Sequence, residues 1–474
     1  MPEMTSNTTG ALIDAAIIGS GQAAPGLAVA LAQRGQSVRL FEAAQLGGSC
    51  VNVGCTPTKT LRKSARIAHL ARRAHEFGVT VGPVSVDFAA AMERMAGVVA
   101  ASRTGLGAWL ARTPGVEVAY AHARLDGIHE GRFRVRAGTD TWLARSVYLN
   151  TGTRPIAPNI PGLADVPALT NDTLLALREL PPRLLVLGGS YIGLELGQIF
   201  RRLGSEVSIV EYSAAVAARE DEEVSARIAA MLTAEGIAIH VGQEAIRVRQ
   251  EEGDVVVTVR DRASGHESEV WGTHLLVATG RSPNTDDLGL ETVGVARDSR
   301  GFVPTSGKLE TVVPGIWALG DMNGRGAFTH TAYQDHEIVV ANLDGRERSA
   351  DGRMATYAMF TDPPLGRVGL TERDARALMA EGRRFLLATH EMKFVSRAKE
   401  EGETTGVIRL LVDADTHQFV GATLLGIRAD EVVQVIGAMI AARAPFEVLR
   451  DALPIHPTVT EFFPTILGKL KPLA

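Results

Sequence analysis

The sequence predicts an α/β protein with two doubly wound, parallel-sheet domains and a C-terminal α+β domain. Three observations carry that prediction. A short apolar strand, Ile13 to Ile18, runs into Gly19-Ser20-Gly21-Gln22-Ala23-Ala24 and then a helical run from Leu27 to Arg34. The same order returns at Leu184 to Leu187, where Gly188-Gly189-Ser190-Tyr191-Ile192-Gly193 follows and a helical run leads to Gly204. From about residue 350 the pattern changes to strand-like stretches interleaved with helices.

The two copies also share their spacing. Gly19 to Gly35 and Gly188 to Gly204 each span 16 residues, while Gly19 to Glu42 and Gly188 to Glu211 each span 23. In a strand–turn–helix unit of this kind the first glycine makes the tight bend. The second lets a pyrophosphate approach the backbone, and the third small residue keeps helix and strand close. Gly19, Gly21 and Ala24 take these places in the first copy; Gly188, Ser190 and Gly193 take them in the second. The strands Ser37 to Phe41 and Glu206 to Val210 end in Glu42 and Glu211, each placed to accept from ribose hydroxyls. Chance seldom preserves two such spacings, so the chain is expected to hold two Rossmann-like dinucleotide-binding domains.

Further strand ends organise the rest. Val147 to Gly152 leads to Pro155 and Leu275 to Gly280 leads to Pro283, with the proline three residues after the glycine in both. They read as points where the chain leaves one sheet for the next domain, although either one alone reads equally as an ordinary strand-to-loop turn; Thr151, Gly152 and Gly280 are candidate cofactor-binding residues. A third, Ile316 to Leu319, ends in Gly320-Asp321 before a Gly-rich loop and a helix from Phe328. A carboxylate there suits a sugar or ribityl hydroxyl, although alone such a residue is more often a helix cap. In the last part, Ala355 to Phe360, Val407 to Val412 and Phe419 to Leu425 read as strands. Thr371-Glu372-Arg373-Asp374 reads as a capping-box helix start, and Ala429 to Ala442 as a helix. The expected division is 1–155 and 281–349 for the first nucleotide domain, 156–280 for the second, and 350–474 for the C-terminal domain.

Composition excludes several classes. The net charge of −5 in 474 residues comes with no basic tail or stripe, so nucleic acid and membrane surfaces are not expected partners. No apolar run reaches membrane-spanning length. Met1 to Ala11 is small and polar without a signal-peptide pattern, and is expected to be a loose tail. Two cysteines make no disulfide scaffold, which points to the cytoplasm.

Both cysteines fall in Gly47-Gly48-Ser49-Cys50-Val51-Asn52-Val53-Gly54-Cys55-Thr56-Pro57-Thr58-Lys59. Residues five apart in a regular helix lie roughly 8–9 Å apart, beyond disulfide reach. A bridge would need a distorted turn, which the glycines and Pro57 permit. Two unrelated buried thiols are the plain alternative. No metal-ligand cluster is apparent.

Taken together, these motifs resemble the flavoprotein disulfide reductases, the family of dihydrolipoyl dehydrogenase, glutathione reductase and mercuric reductase. The resemblance covers nearly the whole chain. It implies FAD at the first fingerprint, with Gly48 and Gly320-Asp321 as further contacts, and a nicotinamide nucleotide at the second. It implies that Cys50 and Cys55 form a redox-active disulfide, with Cys55 toward flavin and Cys50 toward substrate. His456 and Glu461, in Pro454-Ile455-His456-Pro457-Thr458-Val459-Thr460-Glu461, match a catalytic dyad that serves the partner subunit's disulfide, so a homodimer with a shared active site is implied. Lys59 and Glu195 match a flavin-side ion pair, Tyr191 an aromatic covering the nicotinamide pocket, and His330 a position near the flavin ring.

Coenzyme preference is expected to be NAD(H), because Glu211 would repel a 2′-phosphate. The chain lacks the extra C-terminal cysteines of mercuric reductases and keeps His456; Val29-Ala30 stands where glutathione reductases offer basic residues. The expected reaction is therefore dihydrolipoyl-dehydrogenase-like, on a small disulfide or dithiol. Reduction of metal ions or quinones, and a non-enzymatic redox sensor, are the alternatives.

Overall fold

The computed structural model describes residues 9–473, in two compact units. The first unit collects the chain up to Leu61 with Ala89–Ile156 and Gly280–Arg353; the second collects Arg62–Phe88, Ala157–Thr279 and the chain from Met354 onward.

In the first unit, the opening strand Thr9–Ile18 pairs in parallel with Val38–Phe41 on one side and Asp140–Leu149 on the other. Val116–Ala119 extends the sheet beyond Val38–Phe41, and Ile316–Ala318 joins Asp140–Leu149 in parallel. The antiparallel strands Arg132–Ala137 and Ala123–His129 complete it. This sheet is buried on both faces, as parallel strands require. One face packs Phe41 edge-on to Trp142 with ring centroids 5.0 Å apart. The other packs Ala15, Ile17, Leu40 and Tyr148 against Leu27 and Leu31 of helix Ala24–Ala32.

The opening strand begins four residues before the expected Ile13. Asp140–Leu149 is long enough to carry the ladder upstream, pairing Ala11 with Trp142 and Leu12 with Leu143. A neighbour's hydrogen bonds therefore decide where this strand starts, and hydrophobicity does not. Of the tail expected over Met1 to Ala11, the part up to residue 8 lies outside the described residues.

The second unit holds a parallel sheet in the order Ile237–His240, Glu206–Val210, Arg183–Leu187, His274–Val277, Ala168–Leu169. It also contains an antiparallel meander, Gln243–Glu251, Asp254–Asp261 and Glu267–Gly272, which sequence reading did not single out. Its residues from Met354 onward form an antiparallel sheet in the order Thr356–Met359, Leu365–Gly369, Phe419–Leu425, Val407–Asp413, Phe385–Glu391, Lys471–Pro472. Helix Ala429–Ala441 covers it through Val432, Val433 and Ile436. The helix begun at Thr371 is capped as expected, with Thr371 Oγ1 accepting from the Asp374 N–H at 2.8 Å and Asp374 accepting from the Thr371 N–H at 2.8 Å.

The strand ends at Gly152 and Gly280 sit side by side in the first unit. Thr153–Pro155 pairs antiparallel with Arg281–Pro283, so the outgoing and returning chains leave and enter as one two-stranded ribbon. Among the described residues, no helix is long and apolar enough to cross a membrane.

Candidate active site

The first Gly-rich loop is shaped by Asn150. A Cβ on Gly19, whose φ is +91°, would lie 2.4 Å from the Asn150 carbonyl oxygen, and one on Gly21 would lie 2.6 Å from Asn150 Oδ1. Neither place admits a side chain. Asn150 is fixed by donating its N–H to the Ile18 carbonyl and its Nδ2–H to the Leu319 carbonyl, both at 2.8 Å. Its Oδ1 is buried and accepts no hydrogen bond from the described residues. The loop feeds helix Ala24–Ala32, whose N-terminus has no side-chain cap, with Ala24 fully buried against the sheet. Uncapped N–H groups beside a glycine cradle are an anion site.

Glu42 closes this loop. One carboxylate oxygen accepts from the Ser20 N–H at 3.0 Å and the Ser20 hydroxyl at 2.6 Å, and the other from the Ala44 N–H at 2.8 Å. Ser20 Oγ in turn accepts from the Gly47 N–H at 3.0 Å, and Gln22 donates to the Gly47 carbonyl at 2.9 Å. These bonds fasten the nucleotide loop to the cysteine stretch. A Cβ on Gly48 would meet Gly21 Cα at 3.0 Å.

The distorted turn expected between the cysteines is present. Cys50 lies in the short helix Gly48–Asn52, entered through Gly47 and Gly48 at φ +99° and +61°. Cys55 is the first residue of the separate helix Cys55–Arg72. Asn52 stiffens the turn by donating to the carbonyls of Leu46 and Gly48 at 3.0 and 2.9 Å, while Arg103 donates twice to Asn52 Oδ1 at 3.0 and 2.8 Å. Both cysteines carry free thiols. The neighbouring Cys55, followed by burial, pushes the Cys50 thiol well up. Cys55 Sγ lies 3.2 Å from Thr329 Oγ1, at the first residue of helix Thr329–Leu343. At a helix N-terminus a thiolate is favoured. Lys59 lies one turn further along the same helix.

The Gly320–Asn323 turn brings Asp321 to the same unit. Its carboxylate accepts from the Thr153 hydroxyl at 3.2 Å, and burial raises its pKa against the pull of Arg281. Buried Asp335 holds this turn by accepting from the Gly320 N–H at 2.7 Å and from Asn323 Nδ2–H at 3.0 Å, and it pairs with Arg353. Thr151 and Gly152 are pinned by Asn284: Thr151 Oγ1–H donates to the Asn284 carbonyl at 2.7 Å, and the Asn284 N–H donates to the Gly152 carbonyl at 3.0 Å. The Gly280 carbonyl accepts from the Ile156 N–H at 3.0 Å. His330 stacks on Phe328, with ring centroids 5.5 Å apart and planes 11° from parallel.

The second unit repeats the geometry of the first Gly-rich loop. Gly188 has φ +109°, and a Cβ there would lie 2.5 Å from the Ala278 carbonyl; one on Gly193 would lie 2.0 Å from the Gly188 carbonyl. Glu211 accepts from the Gly189 and Ser213 N–H groups, each at 2.6 Å, as Glu42 does in the first loop. Ser190 precedes helix Tyr191–Leu203 without capping it. The Tyr191 hydroxyl, expected only to cover a pocket, donates to Glu220 at 2.7 Å. Glu195 is buried and accepts from the Phe360 N–H at 2.8 Å. His456 Nδ1 lies 2.8 Å from Glu461 Oε2; the His456 side chain is 75 % exposed and that of Glu461 only 12 %. Beside them Leu453 and Ile455 are exposed.

Sequence reading did not assign roles to Asn150, Asp335, Arg353 or Glu220. Asn150 was legible as the residue before Thr151-Gly152. The acids carry no local signal, since each acts on a chain segment distant in sequence.

The site fits a flavin dinucleotide on three counts: the cradle at Gly19 and Gly21 before an uncapped helix, the unsatisfied Asn150 Oδ1, and the half-buried Asp321. With a second such fold and a thiol pair fastened to the first, these parts define a pyridine-nucleotide-linked dithiol oxidoreductase. Residues 13–335 match the model of the pyridine nucleotide-disulphide oxidoreductases, and residues 355–466 match that of their dimerisation domain. The chain belongs to the pyridine nucleotide-disulphide oxidoreductase family of FAD-dependent enzymes, and it carries that family's C-terminal dimerisation domain.

Its relatives span several activities. It is 32 % identical to the probable pyridine nucleotide-disulfide oxidoreductase RclA of Escherichia coli K12, over 96 % of this chain and 99 % of RclA. It is 35 % identical to a mercuric reductase of Streptomyces lividans, over 94 % of this chain and 93 % of that protein. A dihydrolipoyl dehydrogenase of Thermus scotoductus is 32 % identical, over 94 % and 95 %. The solved structure of the HOCl-induced flavoprotein disulfide reductase RclA superposes with a TM-score of 0.85, at 32 % identity, over 97 % of this chain and 100 % of that one. A Cu(II) complex of the same protein gives 0.85 over 96 % and 99 %.

Proposed function

We propose that the protein passes electrons between NAD(P)H and a small disulfide or dithiol through Cys50 and Cys55. The observation that carries this reading is the unequal placement of the two thiols on either side of a helix break. Cys55 opens an 18-residue helix, where a thiolate is favoured, while the neighbouring Cys55 and burial raise the Cys50 thiol, which lies in the short helix before it. A pair so divided has one sulfur suited to face a cofactor as thiolate and one that must be deprotonated on demand.

Gly19, Gly21, Ala24, Glu42, Gly48, Thr151, Gly152, Gly280, Asp321 and His330 are assigned to FAD, with Lys59 and Glu195 as its charged neighbours. Gly188, Tyr191, Gly193 and Glu211 are assigned to the nicotinamide coenzyme, NAD(H) in preference to NADP(H). The bound flavin supplies the exchange between hydride from the coenzyme and an electron pair for sulfur. The chain's own residues carry out the thiol chemistry. His456 of the partner subunit takes the Cys50 proton at Nε2, because its Nδ1 is engaged by Glu461. The Cys50 thiolate attacks the substrate disulfide and expels one thiol. Cys55 then attacks Cys50, releasing the second thiol and closing the Cys50–Cys55 disulfide. The net balance is NAD(P)H, a proton and one disulfide giving NAD(P)⁺ and two thiols. The residue ranges for these roles are 1–155 and 281–349 for FAD, 156–280 for the coenzyme, and 350–474 for the dimer contact.

Steady-state assay over a panel of small disulfides, including lipoamide, tests this. Turnover is expected to vanish in Cys50→Ser with flavin content unchanged; turnover that persists would overturn the assignment. A second reading, reduction of a soft metal ion by the same dithiol, is favoured by the similarity to mercuric reductase and to a protein crystallised with Cu(II). It predicts metal reduction that survives His456→Ala while disulfide turnover is lost.

A further inference from the structure

Glu220 is the most enclosed acid in the second unit, with a side chain that is 0 % exposed. Nothing in the reaction above uses it. Its two oxygens are divided between different tasks. Oε1 accepts from the Tyr191 hydroxyl and from the Tyr357 hydroxyl, both at 2.7 Å. Oε2 accepts from Arg367 Nη1 at 2.9 Å. Arg367 is itself 1 % exposed, and its Nη2 is buried with no hydrogen bond among the described residues. The Tyr191 and Tyr357 rings lie 5.6 Å apart, so both phenols converge on one oxygen.

These four side chains come from separate parts of the unit. Tyr191 is the first residue of the helix that follows the second Gly-rich loop. Glu220 lies just before helix Glu222–Ala234, and Arg373 also donates to the Glu220 carbonyl at 3.0 Å. Arg367 and Tyr357 stand on the neighbouring strands Leu365–Gly369 and Thr356–Met359 of the C-terminal sheet, paired with each other in register. A ring at the mouth of a dinucleotide loop is thus tied, through one charged carboxylate, to a strand interior of another sheet.

We propose that Glu220 is a positioning residue for coenzyme binding: with Arg367 behind it, it fixes the Tyr191 ring as a preorganised wall of the nicotinamide side of the site. The inference rests on the assignment of the second Gly-rich loop to NAD(P)H. A phenol has one polar atom and its ring turns freely about two bonds; a single bond to a carboxylate removes that freedom before coenzyme arrives. Burial raises both phenol pKa values, so both hydroxyls remain protonated donors across the working range. Arg367 sets its positive charge 2.9 Å from the other Glu220 oxygen, and charge-assisted hydrogen bonds are the strong ones. Ordering in advance lowers the cost of binding and leaves later chemistry untouched.

The test uses the FAD-loaded dimer and follows flavin reduction by NADH and by NADPH in stopped flow. Tyr191→Phe removes only the tethering hydroxyl, and Glu220→Gln removes the charge that holds it. Each is expected to raise the coenzyme concentration for half-maximal reduction by about 10-fold, the equivalent of losing one such bond. The reduction rate at saturating coenzyme should stay within about 2-fold, the expectation when an interaction common to ground and transition state is lost. The double variant should be no worse than either single one, because the two act through the same contact. Oxidation of prereduced enzyme by a small disulfide should be unchanged. A Tyr191→Phe enzyme with wild-type coenzyme dependence overturns the proposal, as do additive effects in the double variant. That conclusion does not require Glu220→Gln to fold. If neither coenzyme reduces the wild-type flavin, the underlying nucleotide assignment fails instead.

Discussion

Asp335 offers a direct way to probe how the proposed flavin site is held. Its carboxylate is 1 % exposed and accepts from the Gly320 N–H, from Asn323 and from Arg353, so every lone pair in use faces a donor. Asp335→Asn keeps the shape but turns one acceptor into an NH₂ facing a donor, and removes the charge opposite Arg353. Arg353 already has Nε and Nη1 buried without hydrogen bonds among the described residues. Breaking a buried pair of this kind costs about 3–5 kcal/mol. Since the amide keeps one acceptor, about 3 kcal/mol is the working figure. At 1.4 kcal/mol per tenfold, that is roughly a 100-fold weaker grip on FAD if the whole cost falls on the order of the Gly320–Asp321 turn. Flavin content of the purified variant, titration of its apoprotein with FAD, and the thermal midpoint divide the cost between binding and folding. Unchanged flavin affinity together with a wild-type midpoint would refute the idea that Asp335 holds the turn.

Two further outcomes follow from the thiols and the buried charges. Anaerobic titration with NADH should produce a long-wavelength thiolate–flavin absorption in the wild type that disappears in Cys55→Ser; its retention there would place another sulfur against the flavin. Asp362 predicts a pH effect. Burial alone would raise its pKa, but the charges of Arg202 and Arg66 and the Arg202 hydrogen bond outweigh it, leaving the carboxyl below its ordinary 3.8. A carboxyl lowered on folding adds stability that is complete above its unfolded value and fades as pH falls through the folded one. The thermal midpoint should therefore drop more steeply below about pH 4 in the wild type than in Asp362→Asn, where parallel profiles would contradict the pairing.

Much of the molecule can be read from one dimension. The repeat of Gly19, Gly35 and Glu42 as Gly188, Gly204 and Glu211 locates both strand–turn–helix units, because tight turns and close backbone approach demand particular residues at fixed offsets. The two acids indeed behave as twins, each capping its own loop through backbone N–H groups. Residues before Ile13 were less legible, since the strand there continues only because its neighbour is long enough to pair with it. The meander at Gln243–Gly272 was also less legible, since only its middle strand, Asp254–Asp261, is strongly apolar and the two flanking strands carry many charges.

What sequence alone determined is therefore the local chemistry: two glycine cradles, a thiol pair and a His–Glu pair five residues apart. Each depends on residues near one another along the chain. Only the tertiary structure decided which distant groups serve them. Asn150 sets the space at Gly19 and Gly21, Asp335 holds the turn bearing Asp321, and Glu220 holds Tyr191 while pairing with Arg367, 147 residues further along the chain. Their physical reason is burial: an enclosed charge or amide must find its partners wherever folding delivers them, and no spacing rule records that choice.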